Sequence, residues 1–424
     1  MGFVKQFTSK RTADQYQVKE HNLSLLLEGI WFAHRPISRS ELRKLSGLNQ
    51  MTVCNLVAQL EEWQMVRESG VYQPCSSGRP GLLYEINPDA GLIIGVEIGV
   101  GMIYVVLANF TGCILWSCKQ KTVPEAENVF LQTQELIAEA IAAAGAYPAR
   151  ILGISAAVAA LVSNEGDITL YPGSLGSVNA SVSEDWQLRF NLPVFVTNDG
   201  NASAVGEQLL GEAPGFDDDF IFINVGDGLG AGIISKGALF SGAGGFAGEI
   251  GHMTIEADGL PCKCGNRGCW ENYVSLQATV QRWARHSDFN AARHDRRLTG
   301  NPDEDYALVV DAAQAGNQTA LDALAETGRY LGIGLANAVN IFNPRSIFLG
   351  GQLCRGSPYF MPSLMEEMEN RCFAIARANL RQVAVVQKPQ DIAVLGAAGI
   401  VIRDVLHSPW RWQPADVWKG GTLN

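Results

Sequence analysis

One histidine and three cysteines occur within 18 residues of this chain and limit the folds that it can adopt. His252 is followed by Cys262, Cys264 and Cys269, and glycines separate the last two cysteines. Three soft thiolates and one imidazole select zinc, and four protein ligands leave no position for water, so such a site is structural rather than catalytic. The pattern predicts one structural zinc ion per chain; the alternative is a chance cluster of reduced thiols.

The total cysteine count argues against a disulfide framework. Nine cysteines are an odd number with no regular spacing, so metal ligation is favoured, and we expect the other six to be small buried hydrophobic residues. The N-terminus lacks the apolar segment of a secretion signal, and no stretch approaches the roughly 18 apolar residues of a membrane-spanning helix. We therefore expect a cytoplasmic protein that does not insert into a membrane.

Charge is distributed unevenly along the 424 residues. The net charge of −11 would by itself argue against a nucleic-acid partner, because neutralising phosphates requires clustered Lys and Arg. Residues 1–88, however, contain 10 basic and 8 acidic residues, and the remainder contains 22 and 35, so the two parts carry +2 and −13. The acidity belongs to the larger part, and DNA binding by the first part is not excluded.

The first 88 residues have the pattern of a winged helix-turn-helix. An apolar stripe predicts a helix over 21–34, a second short helix ends at Gly47, and Asn49 is placed to cap a third helix. The third helix leaves polar side chains for a DNA major groove, and two strands then flank a wing. The alternative is a small packing or dimerisation module. The DNA contacts that we expect are Arg39, Asn49, Gln50, Thr52, Asn55 and, at the wing tip, Arg79.

After Gly91 the pattern changes to apolar strands that alternate with amphipathic helices in the order βββαβα. A second unit of strand, glycine turn and strand begins at Phe220, which suggests a weak internal duplication. The turn Gly226–Gly232 is followed by a strand rather than a helix, so it is not a dinucleotide-binding fingerprint, and the chain has no P-loop motif. The glycines instead allow a phosphate or a facing domain to approach the backbone closely.

Polar side chains beside these glycines and the metal ligands are expected to converge in a cleft. Asn198 and Asp199 follow a strand, and Glu249 and Glu271 flank the cysteine loop. A carboxylate accepts two hydrogen bonds in a fork, so several carboxylates around a cavity suit the neighbouring hydroxyls of a sugar. For any one of these residues alone, a solvated surface charge is the simpler interpretation.

These motifs resemble those of the ROK family, which groups sugar-responsive repressors and sugar kinases. The similarity covers nearly the whole chain: the family's zinc signature is matched by Glu249–His252 and Cys262–Glu271, and its Asn-Asp-x-Asn segment by Asn198–Asn201. The resemblance implies an α/β fold in which an N-terminal winged helix-turn-helix is followed by an actin-like, two-lobed α/β sensor. The implied boundaries are 1–88 for the winged head, 89–198 plus 387–424 for the first lobe, and 199–386 for the second lobe with the zinc site and a dimerisation surface.

The resemblance also implies which residues bind a monosaccharide. In the family's kinases, the position of Asp199 is the base that deprotonates the sugar hydroxyl. Xylose, glucose and an N-acetylated sugar all stay open as the ligand. The implied sugar contacts are Asn179, Asn198, Asp199, the backbone at Gly245, Glu249, His252 and Glu271.

The phosphate-binding turns decide between kinase and repressor. Family kinases open with Asp-x-Gly-Gly-Thr, whereas this chain has Glu97, Val100 and Gly101 at the positions of the aspartate, the second glycine and the threonine. Asp227 takes the place of a threonine in the second turn, where a carboxylate would repel a polyphosphate. We therefore expect no enzymatic activity, and Asp199 has only a vestigial catalytic position. The alternatives are an ATP-dependent sugar kinase and a regulator controlled by a protein partner.

The expected function is that of a repressor of carbohydrate-utilisation genes. The winged head would bind double-stranded operator DNA, and a monosaccharide effector would bind between the two lobes. Near-neutral charge in the head implies modest affinity for a single half-site, so we expect a homodimer or a dimer of dimers. For the sugar to control DNA binding, it must prefer the conformer whose heads do not match the operator.

Overall fold

The computed structural model describes residues 15–72, 81–99, 101–122, 126–164, 168–169, 179–180, 182–211, 219–285, 298–387 and 391–413. The chain forms two compact units. One contains the residues up to Gly91 together with those from Ile402 onward, and the other is Leu92–Val401. The expected boundaries at 88, 198 and 387 define a finer division, which stays a prediction.

The first unit, called the head below, contains a helical core and a small antiparallel sheet. Its strands are ordered β1-β3-β2. The first helix begins before residue 21, where the predicted range starts, and ends at Trp31, before the predicted end at residue 34. It does not extend to residue 34 because His34 has a left-handed conformation, with φ of 49°, that an α-helix cannot include. The elements are α1 (Gln15–Trp31), β1 (Ile37–Ser38), α2 (Arg39–Ser46), α3 (Gln50–Glu62), β2 (Val66–Tyr72) and β3 (Gly81–Ile86).

Local capping explains where α2 and α3 begin and end. Ser38 and Glu41 form a reciprocal capping box at the start of α2, and Gly47 ends the helix in a left-handed conformation with φ of 69°. The Asn49 side chain accepts a hydrogen bond of 2.9 Å from the Thr52 amide, which confirms the predicted N-cap of α3. The buried stripe of α3 consists of Val53, Leu56, Val57 and Leu60.

The second unit contains a five-stranded sheet ordered β11-β7-β4-β5-β6 and a short three-stranded sheet ordered β10-β9-β8. Apolar side chains of the larger sheet and of the helices Ala126–Ala144 and Val182–Phe190 form one core. The elements are β4 (Leu92–Ile98), β5 (Met102–Asn109), β6 (Ile114–Lys121), α4 (Ala126–Ala144), β7 (Ile151–Val158), β8 (Leu161–Val162), β9 (Ile168–Thr169), β10 (Asn179–Ala180), α5 (Val182–Phe190), β11 (Val194–Asn198) and α6 (Asp199–Leu210).

A further five-stranded sheet of the same unit is ordered β14-β13-β12-β15-β16. The elements are β12 (Phe220–Val225), β13 (Leu229–Ser235), β14 (Ala238–Leu239), α7 (Glu271–Val274), α8 (Leu276–Ala284), α9 (Pro302–Gln314), α10 (Gln318–Phe342), β15 (Ser346–Gly350), α11 (Ser357–Arg371), α12 (Ala374–Asn379) and β16 (Gln382–Val385). Apolar side chains of α7 to α12 and of this sheet form a second core. The last helix, α13 (Ile392–His407), begins in this unit and ends in the first.

The two five-stranded sheets repeat one arrangement. In each, the first strand pairs antiparallel with the strand that follows it and parallel with a later strand: β4 with β5 and β7, and β12 with β13 and β15. The same strand order in both sheets is the duplication that the sequence suggests. Because parallel strands end at the same edge of a sheet, each repeat presents its turns and helix N-termini along one edge.

Two further expectations have clear outcomes. Within the described residues, none of the helices combines the length and the apolar character needed to cross a bilayer. The expectation that the six cysteines outside the cluster are buried is wrong: among those described, Cys354 is buried, Cys113 is exposed, and Cys54, Cys118 and Cys372 are half-buried. Cys113 is exposed because it follows the turn between β5 and β6, beyond the buried part of either strand.

Candidate functional site

The predicted metal ligands lie together. The ligand atoms of His252, Cys262, Cys264 and Cys269 are all within 4.8 Å of one another. The sulfurs of Cys264 and Cys269 are 3.7 Å apart, and the Cys262 sulfur is 3.7 Å from Nδ1 of His252. Metal–sulfur bonds of about 2.3 Å in a tetrahedron separate the sulfurs by roughly 3.8 Å. The four side chains therefore have the spacing needed to hold one metal ion.

The cysteine loop, residues 262–270, is anchored to α10 through Trp270. The indole Nε1 donates a hydrogen bond of 2.8 Å to the carbonyl of Tyr330, and the ring is fully buried against Gly334. A Cβ at position 334 would overlap the ring, so this glycine gives the indole its place. Since Cys269 and Glu271 are the neighbours of Trp270 in the chain, the contact positions a metal ligand and a candidate sugar ligand together.

Asn266 is a site residue that the sequence motifs do not single out. Its amide nitrogen lies 3.5 Å from the Cys269 sulfur, 3.0 Å from Oγ1 of Thr254 and 3.4 Å from the carbonyl of His252. An amide that donates to a thiolate stabilises its negative charge, and the other contacts connect the histidine segment to the cysteine loop. Its position inside the cysteine motif was the available signal, but a sequence does not show where an amide points.

Three of the four polar residues expected in the cleft, Asp199, Glu249 and Glu271, interact electrostatically. Burial raises the pKa of Asp199 to about 6, and the nearby charge of Glu271 adds to this. Burial also raises the pKa of Glu249 to about 7, with further contributions from Asp199 and Glu271. Glu271 accepts a hydrogen bond of 3.1 Å from the Leu229 amide, which fixes its carboxylate beside the glycine turn between β12 and β13. The structure thus gathers three half-buried carboxylates from separate parts of the sequence.

Asn198, the fourth residue of this set, holds the backbone at the same place. Its Oδ1 accepts hydrogen bonds from the amides of Gly200 and Asn201, which makes it the N-cap of α6. Its Nδ2 donates 3.1 Å to the carbonyl of Ala160. These bonds fix the first residue of α6, Asp199, at the end of β11.

His252 presents different ring nitrogens to the two candidate sites. Nδ1 faces the Cys262 sulfur, and Nε2 lies 4.0 Å from the Glu249 carboxylate. A neutral imidazole carries one N–H, and the nitrogen that binds a metal is the one without the hydrogen. Metal binding through Nδ1 would therefore place the proton on Nε2. The geometry is therefore compatible with both roles expected of His252.

Gly245 lies where two loops of the second unit meet. Its φ is +92°, and a Cβ there would come within 2.7 Å of the Val162 carbonyl and the Asn164 amide. Asn164 in turn donates a hydrogen bond of 3.1 Å from Nδ2 to the carbonyl of Ala243. Asn164 is a second residue that the motifs do not single out. Asn179, also expected to bind sugar, lies in β10.

The positions that correspond to the kinase turns carry acidic groups. Burial raises the pKa of Glu97 to about 7, and the charge of Asp199 adds to this effect. Asp227 is exposed at its turn, with its pKa raised by partial desolvation and by Asp303. Gly101 is exposed and Val100 lies outside the described residues. At the second turn, a polyphosphate would meet the Asp227 carboxylate rather than a hydroxyl donor.

Of the residues expected to contact DNA, Arg39 lies on α2, Asn49 is the N-cap of α3, and Gln50, Thr52 and Asn55 lie on α3. Gln50 and Asn55 are exposed on α3, and Thr52 is half-buried. Asn49 caps the helix, and the Arg39 guanidinium lies 4.9 Å from the centre of the Tyr84 ring on β3. Arg39 thus contacts the strand that forms one side of the wing. Arg79 lies outside the described residues.

A family model described as the ROK family matches residues 93–404. The chain belongs to the ROK family. It is 35% identical over 396 residues to the xylose repressor of Caldicellulosiruptor bescii, across 92% of this chain and 98% of that protein. It is also 34% identical over 271 residues to a glucokinase of Streptomyces coelicolor, across 62% of this chain and 82% of that protein.

The fold resembles the crystal structure of a ROK family transcriptional regulator, a homologue of the E. coli MLC protein. The TM-score is 0.76 at 26% identity, and the match covers 92% of this chain and 97% of the other. The family match and this likeness confirm the expected class: a mixed α/β, actin-like ROK fold that follows an N-terminal helical region.

Proposed function

We infer that this ROK protein is a sugar-responsive transcriptional repressor. The observation that carries the inference is the extent of its likeness to the Caldicellulosiruptor bescii xylose repressor, which covers 92% of this chain and 98% of that protein. The part of the chain outside that match is shorter than the head, so the match includes residues of the head as well as the two large sheets. The likeness to a repressor therefore extends over the helix-turn-helix pattern as well as over the unit that contains the carboxylate cluster, Asp199, Glu249 and Glu271.

The proposed effector is a monosaccharide bound by Asp199, Glu249 and Glu271. Carboxylates kept partly from water are costly unless hydrogen-bonded, and a ligand with adjacent hydroxyls supplies the donors. The raised pKa values of Asp199 and Glu249 support this, because they reflect such desolvation. The proposed set is completed by Asn179, Asn198, the Gly245 backbone and His252.

The proposed partner of the head is double-stranded operator DNA, contacted by a homodimer in the cytoplasm. Exposed Gln50 and Asn55 on α3 are suited to base edges, and Arg39, Asn49, Thr52 and Arg79 complete the proposed set. A single head with a charge near neutral has modest affinity for DNA, so two heads on paired half-sites are needed.

The proposed metal is a structural zinc ion, one per chain, held by His252 and the three cysteines. Zinc accepts this ligand set without redox chemistry and would hold the loop that carries Glu271. The sulfur spacing of 3.7 Å supports the tetrahedral geometry. Two residues that are not ligands support the site: Trp270 anchors the loop to α10, and Asn266 orients the cysteine segment.

A sugar kinase is the alternative that the likeness to a Streptomyces coelicolor glucokinase favours. Against it, Gly101 stands where the family's kinases have a threonine, and Asp227 places a carboxylate at the second turn, where it would repel a polyphosphate. We therefore propose that the chain is not an enzyme, and that Asp199 accepts a hydrogen bond from a sugar hydroxyl without transferring a phosphate.

The function is tested with the purified full-length protein and a panel of monosaccharides, xylose first. The Tm of the protein should rise with sugars of one class, since a ligand at 100 times its Kd adds about 2.7 kcal/mol to the free energy of unfolding. The same sugar should weaken binding to an operator selected from random DNA, and ATP should not be consumed. Asp199→Asn should lose the sugar shift and keep DNA binding.

Three outcomes would contradict this function. If no sugar changes the affinity for DNA, the sensing part is wrong and control by a protein partner gains support. If sugar-dependent ATP consumption appears and Asp199→Asn abolishes it, the chain is a kinase. If no DNA sequence is enriched, the head is a packing or dimerisation module.

A further inference from the structure

The exposed face of α3 has an unusual composition for a surface helix. Met51, Asn55 and Ala58 are spaced at i, i+4 and i+7, so they lie on one face, opposite the buried stripe that begins at Val53. All three are exposed, and Met51 is 72% exposed. The centre of the face thus presents a flexible apolar side chain beside an amide and a methyl group.

Residues 50–62 contain neither lysine nor arginine. The bidentate contact that Arg makes with guanine is therefore absent from this helix, whereas Asn can pair with the edge of adenine. In the major groove, an apolar side chain gains affinity by burying the C5-methyl group of thymine. The face combines the two side-chain types that distinguish A·T from G·C pairs.

The charges around this face point to DNA as its occupant. Arg43 and Lys44 are exposed in the last turn of α2, close in sequence to the N-terminus of α3. Glu62, at the opposite end of α3, is exposed and negative. Phosphates are therefore favoured at the N-terminal end of α3, where Met51 lies, and disfavoured at its C-terminal end.

We propose that Met51 is a specificity-determining residue that contacts the methyl group of a thymine, while Asn55 reads an adenine. This rests on the proposed DNA-binding function and deepens it, because it predicts A·T pairs at the centre of each half-site. A second copy of the head is the other conceivable occupant of the face, and the experiment distinguishes the two.

The experiment uses the full-length protein and a duplex site that this protein selects from random DNA. Each thymine of the site is replaced singly by deoxyuridine, which removes only the C5-methyl group. At one thymine in each half-site, the wild-type affinity should fall about four-fold, the equivalent of roughly 0.8 kcal/mol for one buried methyl. Met51→Ala should weaken binding to the thymine duplex and should bind both duplexes equally.

Leu45→Ala is the matched control, because Leu45 is also apolar and 69% exposed but lies on α2. It should keep the four-fold difference between thymine and deoxyuridine. Circular dichroism of each variant verifies that the head is folded. An Asn55→Ala variant should relax the preference for adenine at a neighbouring position while keeping the response to deoxyuridine.

The outcomes separate this inference from the function on which it rests. If no site is selected, the DNA-binding function itself fails. If sites are selected but Met51→Ala keeps the deoxyuridine response, the inference is overturned and DNA binding stands. A change of oligomeric state on Met51→Ala, without a change in DNA affinity, would assign the face to a protein interface and overturn the inference as well.

Discussion

At the scale of single residues, three asparagines show how one side-chain type performs different tasks. Asn198 caps α6 and bonds to Ala160, Asn164 bridges to the carbonyl of Ala243, and Asn266 donates towards the Cys269 sulfur. Asn198 belongs to a recognisable motif, but its bonds are mainly to the backbone. Each amide is defined by its partners, and those partners come from distant segments of the chain.

We expect Asn266→Ala and Asn266→Asp to lower metal affinity about 10- to 100-fold, the usual effect of removing a group that orients a metal ligand. Aspartate has nearly the same shape but cannot donate to the thiolate, so it should not rescue. Affinity is measured by competition with a chromogenic chelator. Cobalt substitution provides a second measurement, since the sulfur-to-cobalt absorption band should shift.

Asn272→Ala is the control for Asn266, because Asn272 donates to the carbonyl of Pro261 in the same loop and makes no comparable contact with a sulfur. It should leave both the metal affinity and the cobalt band unchanged. Equal losses in the two alanine variants would mean that Asn266 only stabilises the loop.

At the scale of secondary-structure elements, the long helix α10 connects the sheet that contains β12 and β15 with the cysteine loop. Buried residues along α10 contribute to the core beside β12 and β15. Within this helix, Gly334 makes room for the Trp270 ring, which in turn holds the loop. A glycine inside a helix weakens it by about 1 kcal/mol relative to alanine, so this position favours packing over local helix stability.

Gly334→Ala should therefore destabilise the protein by about 1–3 kcal/mol, because the new methyl overlaps a ring that is buried on every side. Gly399→Ala is the matched control: it lies in helix α13, and the nearest atom to a Cβ there is 3.4 Å away. That variant should be neutral or slightly stabilising. Urea unfolding measures both, and equal effects would mean that the indole moves aside without cost.

At the scale of the whole molecule, the proposed regulation requires coupling between the carboxylate cluster and the head. Sugar binding can shift DNA affinity only by as much as the sugar distinguishes between two conformers. Coupling free energies of this kind are typically about 1–3 kcal/mol, or roughly 5- to 150-fold. Coupling is reciprocal, which gives a quantitative test that needs no knowledge of the path between the sites.

We expect a saturating operator to weaken sugar binding by the same factor as a saturating sugar weakens operator binding. Calorimetric titration of the sugar, with and without operator, gives the first factor, and DNA-binding titrations give the second. Met51→Ala should reduce DNA affinity and leave the affinity of the free protein for sugar intact. Unequal factors would show that the sugar and the operator are not linked through one two-state equilibrium.

Features whose causes are local could be recognised from sequence patterns alone. The metal ligands are chemically distinctive and close in the chain, Asn49 bonds to an amide three residues away, and the apolar periodicity of α3 identifies its buried stripe. The family resemblance, and with it the actin-like α/β class, followed from motifs of this kind. Such features are readable because their partners lie within a few residues or their chemistry is rare.

Which polar groups lie near one another became apparent from the folded chain and not from sequence patterns. It placed Asp199, Glu249 and Glu271 near one another, stacked Arg39 on Tyr84 and directed the amide of Asn266 to a cysteine sulfur. It also exposed Cys113, which composition alone had suggested was buried. These outcomes depend on how strands and helices pack over long separations in sequence, where the pairing of each side chain is set by its neighbours in space.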